Sequence, residues 1–480
     1  MRKYSENFRI YEINAVILQM SCKRAQNRTC SGYAECSRHY EKHPYFPKIN
    51  IAMIENAPNV NATNHFEEIL SIVTDTKLQE LLEKVECEYL YWDKVKYLVL
   101  KDIKPELFWA AVKTKRQMQL KTVEFGNYKF YFSITPAMQN MLHDFDVDMG
   151  AGAEASHIIK EKDRQGYLIN SLMEEAIASS QIEGASTTRK VAKDMLRKAL
   201  RPQNKSQQMI VNNYQTIRRL AEESKKDINL DMLLNMHASI TAYTLDNAGD
   251  EGRLRQTDDI YVVDAITGSV AHTPPSHNEV ESLLRDLFDF ANNNDNSEAS
   301  FIHPIVKGII LHFMLAWIHP FVDGNGRTAR SVFYWYLLKK GYWLTEYLSI
   351  SRVIYKNKRR YERAFLYTES DGMDMTYFIL HNLTVMKKAY DDLKVYLSEK
   401  QKERGAILQY ADIEGINERQ MQILKLLSDN PSLVLTCQEV SNRFGVTERT
   451  ARTDLNELAD MGHLKRIPIN KKQTGFMQCI

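Results

Sequence analysis

The stretch IVKGIILHFMLAWI, residues 305–318, constrains this chain more than any other. It is apolar on nearly every side of a helix, and such a helix is stable only where other helices enclose it. It is too short for the roughly 18 to 20 apolar residues that cross a bilayer. The chain must therefore build a bundle around it. At its end the composition changes abruptly to HPFVDGNGRTAR, residues 319–330, with an imidazole, a carboxylate, two glycines around an asparagine, and two arginines. Buried polar groups need partners, so a loop serving packing alone has no use for this set.

The neighbouring segments supply the enclosing helices. QMIVNNYQTIRRLAEE, LDMLLNMHASITAYT and NEVESLLRDLFDFANN repeat apolar residues at spacings of three and four, which marks one buried helix face. TARSVFYWYLLKKG reads as a second buried helix stopped by Gly341. Between helices, TDDIYVVDAITGSVAHTPPS combines a β-branched run, Thr267-Gly268 and Pro274-Pro275, and predicts a hairpin with a stiff exit. That hairpin either offers an edge to a partner or covers the core.

Five segments follow from composition and pattern. Residues 1–52 are a basic tail without helical periodicity, and residues 53–165 a mixed α/β region, in which FEEILSIVTDTKLQELLEKV reads as helix and EFGNYKFYFSI as a hairpin. The Gly/Ala-rich DMGAGAEAS leads into a helical domain over 166–397. A charged linker occupies 398–417. Residues 418–480 give helix, short strand, two helices around FGVT, and a basic wing, the order of a winged helix-turn-helix. The fold class is mainly α, with a hairpin in the bundle and a small C-terminal winged domain.

The formal net charge of +2 argues against wholesale binding to nucleic acid or membrane. Six irregularly spaced cysteines lack the density of a secreted disulfide scaffold, and acidic residues precede the only short apolar run near the start. Reduced thiols and a cytoplasmic location are expected. Cys22, Cys30, Cys36, His39 and His43 contain no C-x2-C pair, so a poorly ordered tail is preferred to a zinc cluster, with residues 1–52 a candidate extension upstream of a start at Met53.

Chemistry concentrates in residues 319–330. Gly324, Asn325 and Gly326 permit backbone conformations in which successive N–H groups converge on an anion, and the helix starting there adds its positive end. Arg327 and Arg330 lie a turn apart and can reach the same anionic group. Asp323 at the mouth suits magnesium, which takes one or two carboxylates along with substrate phosphates. His319 titrates near neutrality and can accept a proton. An anion cradle, a metal acid and a base point to phosphoryl or nucleotidyl transfer. A P-loop is excluded, since G-x-x-x-x-G-K-[ST] is absent.

HPFVDGNGRTAR matches HPFx[D/E]GNGRxxR without departure and so resembles the signature of the Fic family. The likeness runs from about Gly166 to Leu397, through GRLR at residues 252–255, the hairpin, and SDGMDMTYFILHNL. It implies an all-helical Fic-type bundle and AMPylation: transfer of AMP from ATP, with Mg2+, to a Ser, Thr or Tyr hydroxyl of a protein target, or of the chain itself. It makes His319 the base, Asp323 the magnesium ligand, and Gly324, Asn325, Gly326, Arg327 and Arg330 the ATP-phosphate site. The hairpin becomes a flap that holds a target segment by strand addition, with Asp259, Ile260, Tyr261 and Val262 on it. SSQIEG, residues 179–184, resembles the family's inhibitory motif [ST]-x-x-x-E-[GN]. That likeness pairs Glu183 with Arg330 in the place of the γ-phosphate, and includes Ser179.

The C-terminal segment resembles winged-helix domains of bacterial regulators. Thr447, Arg449, Thr450 and Arg452 then lie near the start of a recognition helix, where they could meet DNA, and Lys465, Arg466, Lys471 and Lys472 mark the wing. Glu448, Asp454, Glu457 and Asp460 are expected to offset that charge. The reading is a nucleotidyltransferase with an internal brake. Two alternatives stand beside it: removal of AMP in the same pocket, and a DNA-binding regulator whose Fic domain senses nucleotide. A homodimer is left open.

Overall fold

The computed structural model describes residues 54–60, 64–99, 102–150, 161–264, 267–293, 301–407, 415–470 and 473–479. The tail over 1–52, with Cys22, Cys30, Cys36, His39 and His43, lies outside the described residues, as do Met53, Lys471 and Lys472.

The first helices among the described residues are α1 (Phe66–Thr74), α2 (Thr76–Cys87), α3 (Trp92–Val95) and α4 (Pro105–Gln117). The run expected to be one helix breaks at Asp75, whose extended backbone ends α1 and whose carboxylate caps α2 by accepting from the Lys77 amide at 2.8 Å. These helices enclose a small core with Leu82, Val85, Phe108 and Val112. Arg116, 1% exposed, ties that core to the main domain through the Tyr377 hydroxyl at 2.8 Å.

Strands β1 (Lys121–Phe125) and β2 (Tyr128–Phe132) form an antiparallel hairpin, and α5 (Pro136–Met149) follows. Phe125, Phe130, Phe132, Met138, Leu142 and Phe145 join the main core, so this part of the mixed region packs with the helical domain.

The bundle proper comprises α6 (Glu161–Ile182), α7 (Arg189–Arg197), α8 (Lys205–Glu223), α9 (Leu230–Thr241), the hairpin β3 (Val262–Val263) and β4 (Val270–His272), α10 (His277–Asn292), α11 (Pro304–Ile318), α12 (Asn325–Lys339), α13 (Ile350–Lys356), α14 (Lys358–Ser370) and α15 (Thr376–Ile407). Helix α11 is the buried axis predicted from its composition, enclosed by α10, α12 and α15. Helix α12 is buried on most sides between α11, α8, α9 and α6. Its end is the expected glycine stop: Gly341 has φ 85°, and the Tyr342 amide reaches back to Leu337 O at 3.0 Å. Helix α15 runs without a break past the start of the expected linker, as far as Ile407.

The C-terminal module is α16 (Glu418–Asp429), β5 (Leu435–Thr436), α17 (Cys437–Phe444), α18 (Glu448–Asp460), β6 (Leu464–Asn470) and β7 (Gln473–Gln478), with the sheet ordered β5-β7-β6. Its core is separate, built on Ile423, Leu427, Val440, Leu455 and Phe476. Thr436 caps α17 and Gly445 closes it at φ 67°. Helix α17 packs on α6 and α7. A Cβ at Gly445 would lie 2.7 Å from the Gln165 Cβ, so a side chain there would force the module away from α6.

Candidate active site

Helix α11 ends at His319, which takes left-handed backbone angles, φ 51° and ψ 58°. That conformation is uncommon outside glycine, and it turns the chain sharply towards the loop. The imidazole Nδ1 lies 3.1 Å from Ala316 O. A carbonyl only accepts, so Nδ1 carries the proton and Nε2 keeps its lone pair. Burial depresses the His319 pKa to about 4, and the His272 ring and Arg255 work the same way against the opposing Ala316 carbonyl and Glu183. His319 is thus a neutral base with its acceptor nitrogen available.

The loop after it is held from both sides. Asn325 Oδ1 accepts from the Phe321 amide at 2.9 Å, and Asn325 Nδ2 donates to Phe321 O at 2.8 Å. Its side chain is spent on the loop, so its backbone amide is what it offers an anion. His237, on α9, stacks on Phe321 with centroids 3.7 Å apart. His237 Nε2 donates to Asp323 O at 2.8 Å, and its Nδ1 accepts from the Gly252 amide at 3.0 Å. Burial lowers the His237 pKa to about 4, which keeps that tautomer. Nothing in the pattern of α9 set His237 apart from a core histidine, and sequence reading passed over it.

Gly324 precedes α12 with φ 84°, and a Cβ there would come within 2.7 Å of Thr241 Cγ2. The opening amides of α12 have no intrahelical carbonyl to bind, so Asn325, Gly326 and Arg327 present a cradle with a positive helix end. Asp323 is exposed on its lip, and its carboxylate accepts from the Gly324 amide. Among the described residues no three His, Cys, Asp or Glu side chains form a metal cluster. A single hard oxygen donor beside a phosphate site nevertheless fits magnesium, which draws most of its ligands from water and substrate.

The two arginines differ. Arg327 is 1% exposed and donates from Nη1 to Ile240 O at 3.0 Å, bracing the end of α9. Arg330 donates from Nε to Ser179 Oγ, from Nη2 to Ser179 O and from Nη2 to Glu183 Oε1, each at 2.9 Å. Arg330 Nη1 and Arg327 Nε are buried without a hydrogen-bond partner. Such orphaned donors on cations are unusual, and a phosphate would satisfy them.

Glu183 follows the last residue of α6, where Gly184 turns the chain at φ 93°. A Cβ on Gly326 would collide with Glu183 Oε1, so the carboxylate lies directly over the cradle. Burial acts to raise its pKa, but Arg330, Arg327 and Lys358 outweigh that and hold it below the usual glutamate value. Glu183 is ionised, paired with Arg330, and placed where an anion would bind.

The hairpin after Arg255 pairs Val262 with His272, and β3 is hydrogen-bonded to β4 alone. The strand proper begins at Val262, and Asp259, Ile260 and Tyr261 lead into it without regular pairing. Tyr261, Val263 and Val270 are about half exposed.

On the C-terminal module, Thr447 caps α18 and accepts from the Thr450 amide at 3.2 Å, so both hydroxyls serve the helix start. Arg449, Arg452 and Thr453 are exposed on its outer face. Of the acids expected to offset that charge, Glu448, Glu457 and Asp460 are exposed on the same helix, and Asp454 alone is buried. Asp454 is 2% exposed and bound by Arg419 and Asn417, Glu457 accepts from Gln420, and Asp460 pairs with Arg466.

Residues 227–337 match the model of the Fic/DOC family, and residues 419–477 match that of an HTH domain. The chain carries a Fic domain. Protein adenylyltransferase fic-1 of Caenorhabditis elegans is 34% identical over 125 residues, which cover 26% of this chain and 22% of that protein. Protein adenylyltransferase Fic of Drosophila willistoni is 30% identical over 118 residues, covering 25% of this chain and 21% of its own. The match therefore spans about a fifth of the length of these curated relatives. Among solved structures, a Fic family protein from Desulfovibrio desulfuricans G20 aligns with 73% of this chain and 98% of its own, at 20% identity and a TM-score of 0.46.

The His319 environment is directly testable. An NMR titration of its ring, assigned by comparison with His319→Ala, is expected to show no protonation between about pH 8 and pH 5.5, because the folded-state value lies well below the ordinary 6.5 or so. A midpoint near 6.5 would contradict the buried, neutral base.

Proposed function

We propose that this chain is a protein adenylyltransferase that moves AMP from ATP to a Ser, Thr or Tyr hydroxyl of a protein, and that Glu183 restrains it. The observation that carries this reading is the ionised Glu183 carboxylate seated over Gly326 and bound to Arg330, beside the unpartnered Arg330 Nη1. A cradle built for an anion is held by the protein's own anion.

In the proposed reaction the terminal phosphates of ATP take the first-turn amides of α12 and the Arg330 guanidinium once Glu183 leaves. Asp323 would hold Mg2+, which when bound neutralises charge on the phosphate oxygens. His319 Nε2 takes the proton of the target hydroxyl as its oxygen attacks the α-phosphorus. The bond from that phosphorus to the bridging oxygen breaks, and pyrophosphate leaves. The exposed edge of β3 would seat the target segment by main-chain pairing, a mode that specifies little side-chain sequence. A cytoplasmic location, where ATP and magnesium are supplied, goes with this reading.

Intact-mass and peptide analysis after incubation with ATP and magnesium tests this. Glu183→Gly is expected to carry AMP at least tenfold more than wild type, and adding His319→Ala should remove it, since loss of a general base costs on the order of 10² to 10⁴ in rate. Equal adducts in wild type and Glu183→Gly would sink the brake. AMP lost from a modified protein only when Glu183 is present would favour the reverse reaction, with Glu183 positioning water.

DNA is the proposed second partner, because Arg449 and Arg452 are exposed on α18 and Asp454, the buried acid of that helix, is held by Arg419. In fluorescence anisotropy with a labelled duplex, replacing both arginines by alanine should lower the salt dependence of binding by about one unit per lost phosphate contact. Undetectable binding of wild type at low salt would assign the module to protein contacts.

A further inference from the structure

Arg255 stands in the GRLR segment just before the hairpin, outside the cradle, and is 2% exposed. Its guanidinium spans three places at once. Nη1 donates to Thr257 O and to Asp258 Oδ1, both at 3.0 Å, where the chain enters the hairpin. Nη2 donates to Pro275 O, where the chain leaves it. Nε donates at 2.9 Å to His319 O, the carbonyl of the proposed base, and the Arg255 amide donates to Pro320 O at 2.9 Å. Asp258 extends the knot by accepting from the His277 amide and from Ser276 Oγ at 3.0 Å.

A second tie runs from the other strand. His272, at the end of β4, is buried with its Nε2 2.7 Å from Trp317 O and its Nδ1 3.0 Å from Glu369 Oε2. Trp317 lies on the last turn of α11, two residues before His319. Both feet of the hairpin and one of its strands are therefore indexed to the segment that carries the base. The strand pair itself is short, with a register shift between Val262 and Val263, so it has little stiffness of its own.

We infer that Arg255 is a positioning residue: it sets the height of the β3 edge relative to His319 Nε2, so that a target strand paired to that edge delivers its hydroxyl within reach of the base. This rests on the transferase reading for its consequence, but the geometric claim is independent of it. A displacement of about 1 Å in such an arrangement can cost on the order of 100-fold in rate. Lysine in its place has no planar fork and cannot hold three carbonyls together.

Hydrogen exchange followed by mass spectrometry reads the geometric claim without any target. In Arg255→Met, peptides covering β3 and β4 are expected to exchange at least about tenfold faster, while α11 and α12 keep wild-type protection, and Arg255→Lys should fall between. In the Glu183→Gly background, Arg255→Met should lower AMP transfer to protein by at least about tenfold with the KM for ATP unchanged within about twofold. Unchanged exchange in β3 and β4, or loosening of α11 and α12 to the same extent, would overturn the proposal, as would a loss expressed mainly in the KM for ATP. If Glu183→Gly transfers no AMP at all, the transferase reading fails by itself, and the exchange comparison alone decides for Arg255.

Discussion

One guanidinium, that of Arg330, organises the molecule's chemistry. It lies buried between α12, which it belongs to, and α6, where Ser179 on the helix and Glu183 just past its end accept hydrogen bonds from its Nε and Nη2. A cation at this depth is stable only when opposite charge and acceptors surround it. Burial works to lower the Arg330 pKa, and the Glu183 carboxylate more than offsets that. The pairing leaves Nη1 without a partner beside Gly326. Arg330 thus holds α6 against the bundle and has one donor left over, and the contact that closes the fold also covers Gly326.

Everything around this contact serves to place it. The enclosed α11 brings His319 to the mouth, and the left-handed turn there frees Nε2. Asn325 and His237 then lock the loop so that Gly324 can start α12 with its amides turned outward. Helix α6 is held at its far end by α17, where the glycine turn at Gly445 sits against Gln165. The helix that leads to Glu183 is therefore in contact with the candidate site at one end and with the winged module at the other.

Residues 319–330 were legible because the groups that form the site are contiguous there, and each has a chemistry its neighbours share. The Glu183–Arg330 contact was legible through the SSQIEG motif, although it joins residues 147 positions apart. His237 was not, because a lone histidine on an amphipathic helix looks the same whether it packs or bonds to a loop. The Asn325 side chain closes the loop and leaves its backbone amide to the cradle, a division of labour that the sequence does not display. Asp454 looked like surface charge, because one-dimensional spacing does not show that α16 lies behind it with Arg419. Asp75 was read inside a helix, since apolar periodicity on both sides hid a cap.

The central claim is that Glu183 and the terminal phosphate of ATP compete for Arg330 and the first turn of α12. Calorimetric titration of wild type and Glu183→Gly with ATP and with AMP, both with magnesium, tests it most directly. A carboxylate released from an arginine and no longer facing phosphate predicts ATP binding tighter by about tenfold or more in the variant, with AMP affinity changed by less than about twofold. Equal ATP affinities in the two proteins, or an equal gain for AMP, would contradict the account.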